Sequence, residues 1–227
     1  MATRLTFLRH EALVPAGHLA THAEALGLDV ETVRVDHGDP LPDLEDVDAL
    51  VTLGSFASAA DDRVPWLAGE LELLRRADAA GVAILGVCFG GQALARALGG
   101  RVAALEQPEI GWLSLDTDDA ELVPEGPFVA WHNDGFSPPP GATELARTSR
   151  ASQAFTVRRH LGVQFHPEVT DDIVEAWAQH SPRMLERAGV EATAVLDPLR
   201  RNAADNAERA GRLLRAFLAR AELAIAS

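Results

Sequence analysis

The sequence predicts an α/β fold: a single domain with a mostly parallel central sheet flanked by helices, a small antiparallel region and a C-terminal helix. Three observations carry this expectation. Strand-like and helix-like segments alternate up to Gly100, an order that implies right-handed crossovers between parallel strands. Two segments, "VDALVTLGS" (47–55) and "VAILGVC" (82–88), are continuous apolar runs, as in strands covered on both faces. Past Gly100 the pieces shorten and are separated by Gly, Pro and Asp, which favours local antiparallel pairing.

Taken in order, "RLTFLRH" (4–10) reads as a first strand, and "GHLATHAEALG" (17–27) as a short amphipathic helix stopped by Gly27. "DVETVRVD" (29–36) alternates apolar and polar residues, the period of a half-exposed strand. The loop "GDPLPDLED" leads into the first apolar strand, 47–55. Residues 65–81 form a helix with Pro65 at its start and Gly81 at its end. The second apolar strand runs into a helix over 91–100. "RVAAL", "GWLSLDT", "FVAWHND", "TELART", "AFTVRR" and "LGVQFHPE" are the short strand-like pieces. "DDIVEAWAQH" (171–180) is helical, and the tail, roughly 197–225, reads as one long helix rich in Arg and Ala. Residues 1–190 are expected to form the main body and 191–227 a helical extension.

Composition narrows the function. The 227 residues are 47% hydrophobic and 24% charged, ordinary for a globular protein with a buried core. A formal net charge of -14 argues against nucleic acid or anionic membrane as partner, since both want a basic face. No apolar run approaches the roughly 18 residues of a membrane span. The N-terminal stretch, interrupted by Arg4, Arg9, His10 and Glu11, lacks the apolar core of a secretory signal, and a cytoplasmic location is expected. All 20 basic residues are arginine. Without lysine there is no GxxxxGK[ST] phosphate loop and no Schiff-base chemistry.

The one cysteine, Cys88, stands in "GVCFG" (86–90), a G-x-C-x-G turn between a buried strand and a helix. This is the thiol form of a nucleophile elbow, in which the sharp turn holds the nucleophile in a strained conformation and glycines fill crowded positions. The sulfur would project from the C-terminal edge of the sheet, where open α/β sheets bind ligands, and would face a helix N-terminus that favours the thiolate. The amide of Phe89 would then be available to an oxyanion. One cysteine forms no internal disulfide, and no cluster points to a metal or cofactor.

A thiol of ordinary pKa about 8.5 needs a base, and eight histidines are available. His166, in "LGVQFHPEV" (161–169), ends an apolar strand that Pro167 terminates. Glu168 follows two residues later and, on extended backbone, points the same way, where it would orient the imidazole. A solvated strand end explains the same spacing equally well. His132, in "VAWHNDGF", sits at another strand-to-turn junction, where Asn133, Asp134 and Gly135 are ordinary turn formers. The other six (His10, His18, His22, His37, His160 and His180) lie in polar or loop-like surroundings and are expected to be solvated.

Together, "LGSF" (53–56), "GVCFGGQALA" (86–95), "EIGW" (109–112), "WHND" (131–134) and "GVQFHPEV" (162–169) closely resemble the class I (triad-type) glutamine amidotransferases, especially free-standing proteins similar to the glutaminase domain of GMP synthase. The resemblance spans roughly residues 45–180 and implies a flavodoxin-like class I amidotransferase fold. It implies that Cys88 attacks the side-chain amide of glutamine, that His166 carries the proton to the departing ammonia, and that Glu168 orients His166. It implies an oxyanion hole at the amides of Gly54 and Phe89, and a substrate seat at Gln92, His132 and Asp134. Phe56 departs from the family, which often has proline there in G-G-P or G-S-P, and so puts the shape of the pocket in question.

Three functions follow from these residues. The first is glutamine hydrolysis with ammonia passed to an acceptor on a separate synthetase or other partner protein; the tail helix is a docking candidate, though packing on the chain's own core is the use expected of it first. The second is a self-sufficient hydrolase or transferase acting on a γ-glutamyl compound through the same thioester. The third is a non-catalytic glutamine-binding or regulatory subunit, disfavoured by an intact nucleophile and base.

Overall fold

The computed structural model describes residues 2–225. The chain opens with β1 (Arg4–Arg9), α1 (Gly17–Ala25), β2 (Asp29–Arg34) and β3 (Ala49–Thr52). Next come α2 (Leu67–Ala80), β4 (Ala83–Val87) and α3 (Phe89–Ala97). Six strands follow: β5 (Arg101–Leu113), β6 (Asp116–Thr117), β7 (Phe128–Ser137), β8 (Thr143–Arg147), β9 (Ser152–Val157) and β10 (His160–Val163). The chain continues through α4 (Asp171–His180), α5 (Pro182–Ala188), α6 (Ala192–Arg201) and α7 (Ala203–Arg220).

The main sheet runs β2-β1-β3-β4-β10-β9-β8-β6, and β5 with β7 forms a separate antiparallel pair. From β2 to β10 every neighbour is parallel; beyond β10 every neighbour is antiparallel. β3 and β4 are buried along their whole length, as their unbroken apolar sequences require. The α/β class with a parallel core and an antiparallel region is therefore as expected.

The placement of β10 is what the sequence pattern does not show. It pairs antiparallel with β9, its hairpin neighbour, but its other edge lies parallel to β4, with Leu161 opposite Leu85 and Val163 opposite Val87. The strand leading to His166 thus lies beside the strand leading to Cys88. "RVAAL" and "EIGW" also prove to be one strand, β5, with an irregularity between Ala104 and Glu109 that lets it follow β7.

The expected single tail helix is corrected to two, α6 and α7, preceded by the short α5. Asn202 stands at the break, with φ -120° and ψ 28° outside the helical region, and both its backbone N–H (3.0 Å) and its side-chain amide (2.8 Å) donate to the Pro198 carbonyl at the end of α6. α7 packs against α1 and sends Leu213, Leu214, Phe217 and Leu218, all fully buried, into the main core. Each such side chain contributes roughly 1.5–3 kcal/mol. Among the described residues, no helix is long and apolar enough to cross a membrane.

Candidate active site

Cys88 follows the last residue of β4 and caps α3 with φ +53° and ψ -109°. A non-glycine residue persists there only when its surroundings over-determine it, at a cost of about 1–3 kcal/mol. The surroundings do so. Cys88 N–H donates to the Val163 carbonyl of β10 at 2.8 Å, and its carbonyl accepts from Gln92 N–H at 3.0 Å. The flanking glycines are needed for space: a Cβ on Gly86 would stand 2.5 Å from the Gly90 carbonyl oxygen, and one on Gly90 would fall on the Thr52 carbonyl.

His166 sits just past β10, where its backbone N–H donates to Val129 of β7 at 2.8 Å. Its Nδ1 lies 2.7 Å from Glu168 Oε1, and both side chains are buried. Glu168 is fixed in turn through its backbone, because its carbonyl accepts from His18 N–H at 2.9 Å at the start of α1. Gly17 lets that helix approach; with φ +46° it has no room for a Cβ against the same carbonyl. The Trp177 ring meets the His166 ring edge-on at 4.6 Å between centroids.

The two side chains converge over the turn after β3. A Cβ added to Gly54 would stand 3.3 Å from His166 Cε1 and 3.9 Å from Cys88 Cβ. His166 Nε2, the nitrogen that Glu168 does not hold, has no hydrogen-bond partner among the described residues. Burial opposes a charged imidazole there, but the charges of Glu168 and Cys88 outweigh it and raise the pKa to about 10.

Cys88, Phe89, Gln92, His132, Asp134, Gly54 and His166 all line one cavity of about 210 Å3. Gln92 is buried, and its amide donates to the Asp134 carbonyl at 2.9 Å and to Gln164 Oε1 at 3.1 Å. Gln164 in turn points its amide at Cys88 Sγ, 3.6 Å away. Asp134 Oδ2 accepts from Ser58 Oγ at 2.5 Å. His132 faces Glu109 across the β5–β7 pair, at 3.2 Å but without hydrogen-bond alignment, and Glu109 also accepts from Thr148 and Gln153. Phe56 lines the cavity, is exposed, and packs on His180 with centroids 4.3 Å apart.

Two expectations for the histidines are corrected. His10 and His160 are buried, not solvated. His160 bonds Asp78 at 2.9 Å and accepts from the Ile84 amide at 3.2 Å, joining β10 to α2 and β4. His10 bonds Glu70 and the Gly54 carbonyl. Sequence reading missed Glu70, although it lies on the buried stripe of α2 with Leu67, Leu71 and Leu74. A carboxylate on an apolar stripe signals a buried partner. Gln164 and Trp177 carry no such signal, since Gln164 lies in an ordinary strand-end run and Trp177 reads as a core residue.

Comparison with known proteins agrees with this architecture. The family described as "Glutamine amidotransferase class-I" matches residues 17–175. YfeJ of Salmonella typhimurium, described as glutamine amidotransferase-like, is 30% identical over 202 residues, 82% of this chain and 84% of that protein. The glutamine-hydrolyzing GMP synthase of Trichormus variabilis is 37% identical over 133 residues, 55% of this chain, and the match spans only 24% of that longer protein. The crystal structure of a glutamine amidotransferase from Methylobacillus flagellatus superposes with a TM-score of 0.89 at 28% identity, covering 100% of this chain and 98% of that one. With the family matched across most of its length and the fold shared end to end, the chain belongs to the class-I glutamine amidotransferases.

Proposed function

We propose that this protein hydrolyses the side-chain amide of glutamine through a thioester on Cys88 and releases ammonia for an acceptor on a separate partner. The observation that carries this reading is the convergence of Cys88, at φ +53°, and His166, held by Glu168 at 2.7 Å, over Gly54 in one cavity. The Cys88 thiolate attacks the amide carbon, and the oxygen takes up the negative charge. The amides of Phe89 and Gly54 stabilise that charge; among the described residues neither donates elsewhere, and one such donor is worth about 10²–10³ in rate. His166, protonated, gives its proton to the departing nitrogen, and ammonia leaves with the thioester formed. It then takes a proton from the water that attacks the thioester, and glutamate and the free thiol result. Glu168 keeps the imidazole in register through both steps. Gln92, His132 and Asp134 also line the cavity, and the amino and carboxylate ends of the substrate would lie against them.

Similarity to the glutamine-hydrolyzing GMP synthase supports glutamine as substrate and a synthetase as the kind of partner that takes the ammonia. Exposure to a diazo-ketone analogue of glutamine tests the reading. Stoichiometric labelling of Cys88 with loss of ammonia release is expected, and unlabelled Cys88 in an otherwise active protein would overturn it.

One observation favours a second reading, a self-sufficient hydrolase of a γ-glutamyl compound. The lining of the cavity includes the apolar side chains of Phe56, Trp131, Trp177 and Met184, which would suit a substituent on the γ-nitrogen. Turnover of γ-glutamyl p-nitroanilide by the isolated chain, faster than that of glutamine, would select this reading over the first.

A further inference from the structure

His10 is the buried histidine that the proposed reaction leaves unused. It follows the last residue of β1, the strand that pairs with β3, and its side chain is fully enclosed. Nε2 lies 2.8 Å from Glu70 Oε2. The other oxygen of Glu70 accepts from Thr52 Oγ1 at 2.5 Å, at the end of β3. Nδ1 lies 3.1 Å from the Gly54 carbonyl oxygen. A carbonyl only accepts, so Nδ1 carries the proton. The imidazole also stacks on Trp66 at 4.7 Å and packs against the Phe89 ring at 4.9 Å. One side chain therefore touches both residues assigned to the oxyanion hole.

Peptide geometry makes this contact consequential. In a trans peptide the C=O and the following N–H point in opposite directions. The Leu53 carbonyl, anchored by Gly90 N–H at 3.0 Å, sets the plane that carries the Gly54 amide. The Gly54 carbonyl, anchored by His10, sets the plane that carries the Ser55 amide, and Ser55 lines the cavity. Among the described residues, neither amide donates elsewhere. Remove His10 and the second plane is free to rotate, because Gly54 has no side chain to restrict it.

We propose that the buried His10–Glu70 pair is a positioning device for this site, holding the Gly54–Ser55 peptide in the turn after β3 so that the Ser55 amide joins those of Gly54 and Phe89 in facing the carbonyl oxygen of the group that Cys88 attacks. The proposal rests on the assignment of Cys88 as nucleophile. Burial opposes a charged His10, and Glu70 outweighs it and raises the pKa, consistent with a donor at both nitrogens.

Two probes of the same sulfur separate this role from a structural one. Attack on p-nitrophenyl acetate forms an oxyanion as the thioester replaces p-nitrophenolate; alkylation by iodoacetamide displaces iodide and forms none. His10→Phe is expected to slow the p-nitrophenolate burst at least ~10-fold, part of the cost of a lost oxyanion donor. Alkylation of Cys88 should stay within about threefold, since the thiolate is untouched. His10→Asn, whose amide nitrogen stands near the place of Nδ1, should recover part of the burst. Should His10→Phe fail to fold with an unpaired Glu70, the His10→Phe/Glu70→Gln double variant carries the same expectation. A burst within twofold of wild type in a folded variant would overturn the proposal, as would an equal loss of burst and alkylation. If wild type shows the burst but releases no ammonia from glutamine, the glutamine reading fails while the burst difference still supports the positioning role.

Discussion

Two histidine–carboxylate pairs lie at strand ends of the same sheet, and they are built almost alike. His166 follows β10 and meets Glu168 at 2.7 Å; His10 follows β1 and meets Glu70 at 2.8 Å. All four side chains are buried, and in both histidines the carboxylate raises the pKa against the effect of burial. The difference lies at the second nitrogen. In His166 it has no partner among the described residues and belongs to a ring that lines the cavity beside Cys88; in His10 it is taken by the Gly54 carbonyl, under Trp66 and Phe89. A buried imidazole with a free nitrogen can move a proton, whereas one with both nitrogens engaged fixes a backbone. The carboxylate does the same work in each, and the third group decides the role.

Cys88→Ala should break the catalytic side most completely: ammonia release from glutamine falls to background while the circular dichroism spectrum is unchanged. His166→Asn is expected to lower kcat at least ~10²-fold, as for loss of a general base, whereas His10 variants should lose less. A near-wild-type rate in His166→Asn would move the proton-transfer role to His132. Gly90→Ala tests the elbow that both histidines serve. Its Cβ has no room against the Thr52 backbone, so a loss of about 3 kcal/mol in denaturant unfolding is expected, at the upper end for overpacking.

A further effect is expected in stability against pH. The pKa of His166 is raised from 6.5 to about 10 in the folded state, so the fold binds its proton more tightly than the unfolded chain does. That stabilisation is complete below pH 6.5 and is lost as pH rises through about 10. The unfolding midpoint of wild type should therefore fall relative to His166→Asn across that window. The shift for His10 has the same sign, so a change in the opposite direction for either variant would contradict the shared electrostatics.

Much of this could be read from the sequence because local chemistry demanded it. The crowding at Gly86 and Gly90 is the physical reason for the G-x-C-x-G spelling, and the unbroken apolar runs of β3 and β4 reflect burial on both faces. What could not be read is set by pairing across long stretches of chain. β10 borders β4 across more than seventy residues, and nothing near His166 in sequence encodes that. His10 read as solvated because the run "RHEA" around it is polar, while the partner that buries it stands sixty positions away. The break at Asn202 was hidden by helix-forming residues on both sides, and it comes down to one residue whose backbone leaves the helical region.

The most direct test is to quench the enzyme with acid during turnover of glutamine and weigh the peptide that contains Cys88. A γ-glutamyl group should be found on Cys88 in wild type, accumulating when attack by water is slowed, and should be absent from His166→Asn on the same time scale. Ammonia released with no acyl group on Cys88, at a rate that Cys88→Ala matches, would contradict the nucleophile on which the whole reading depends.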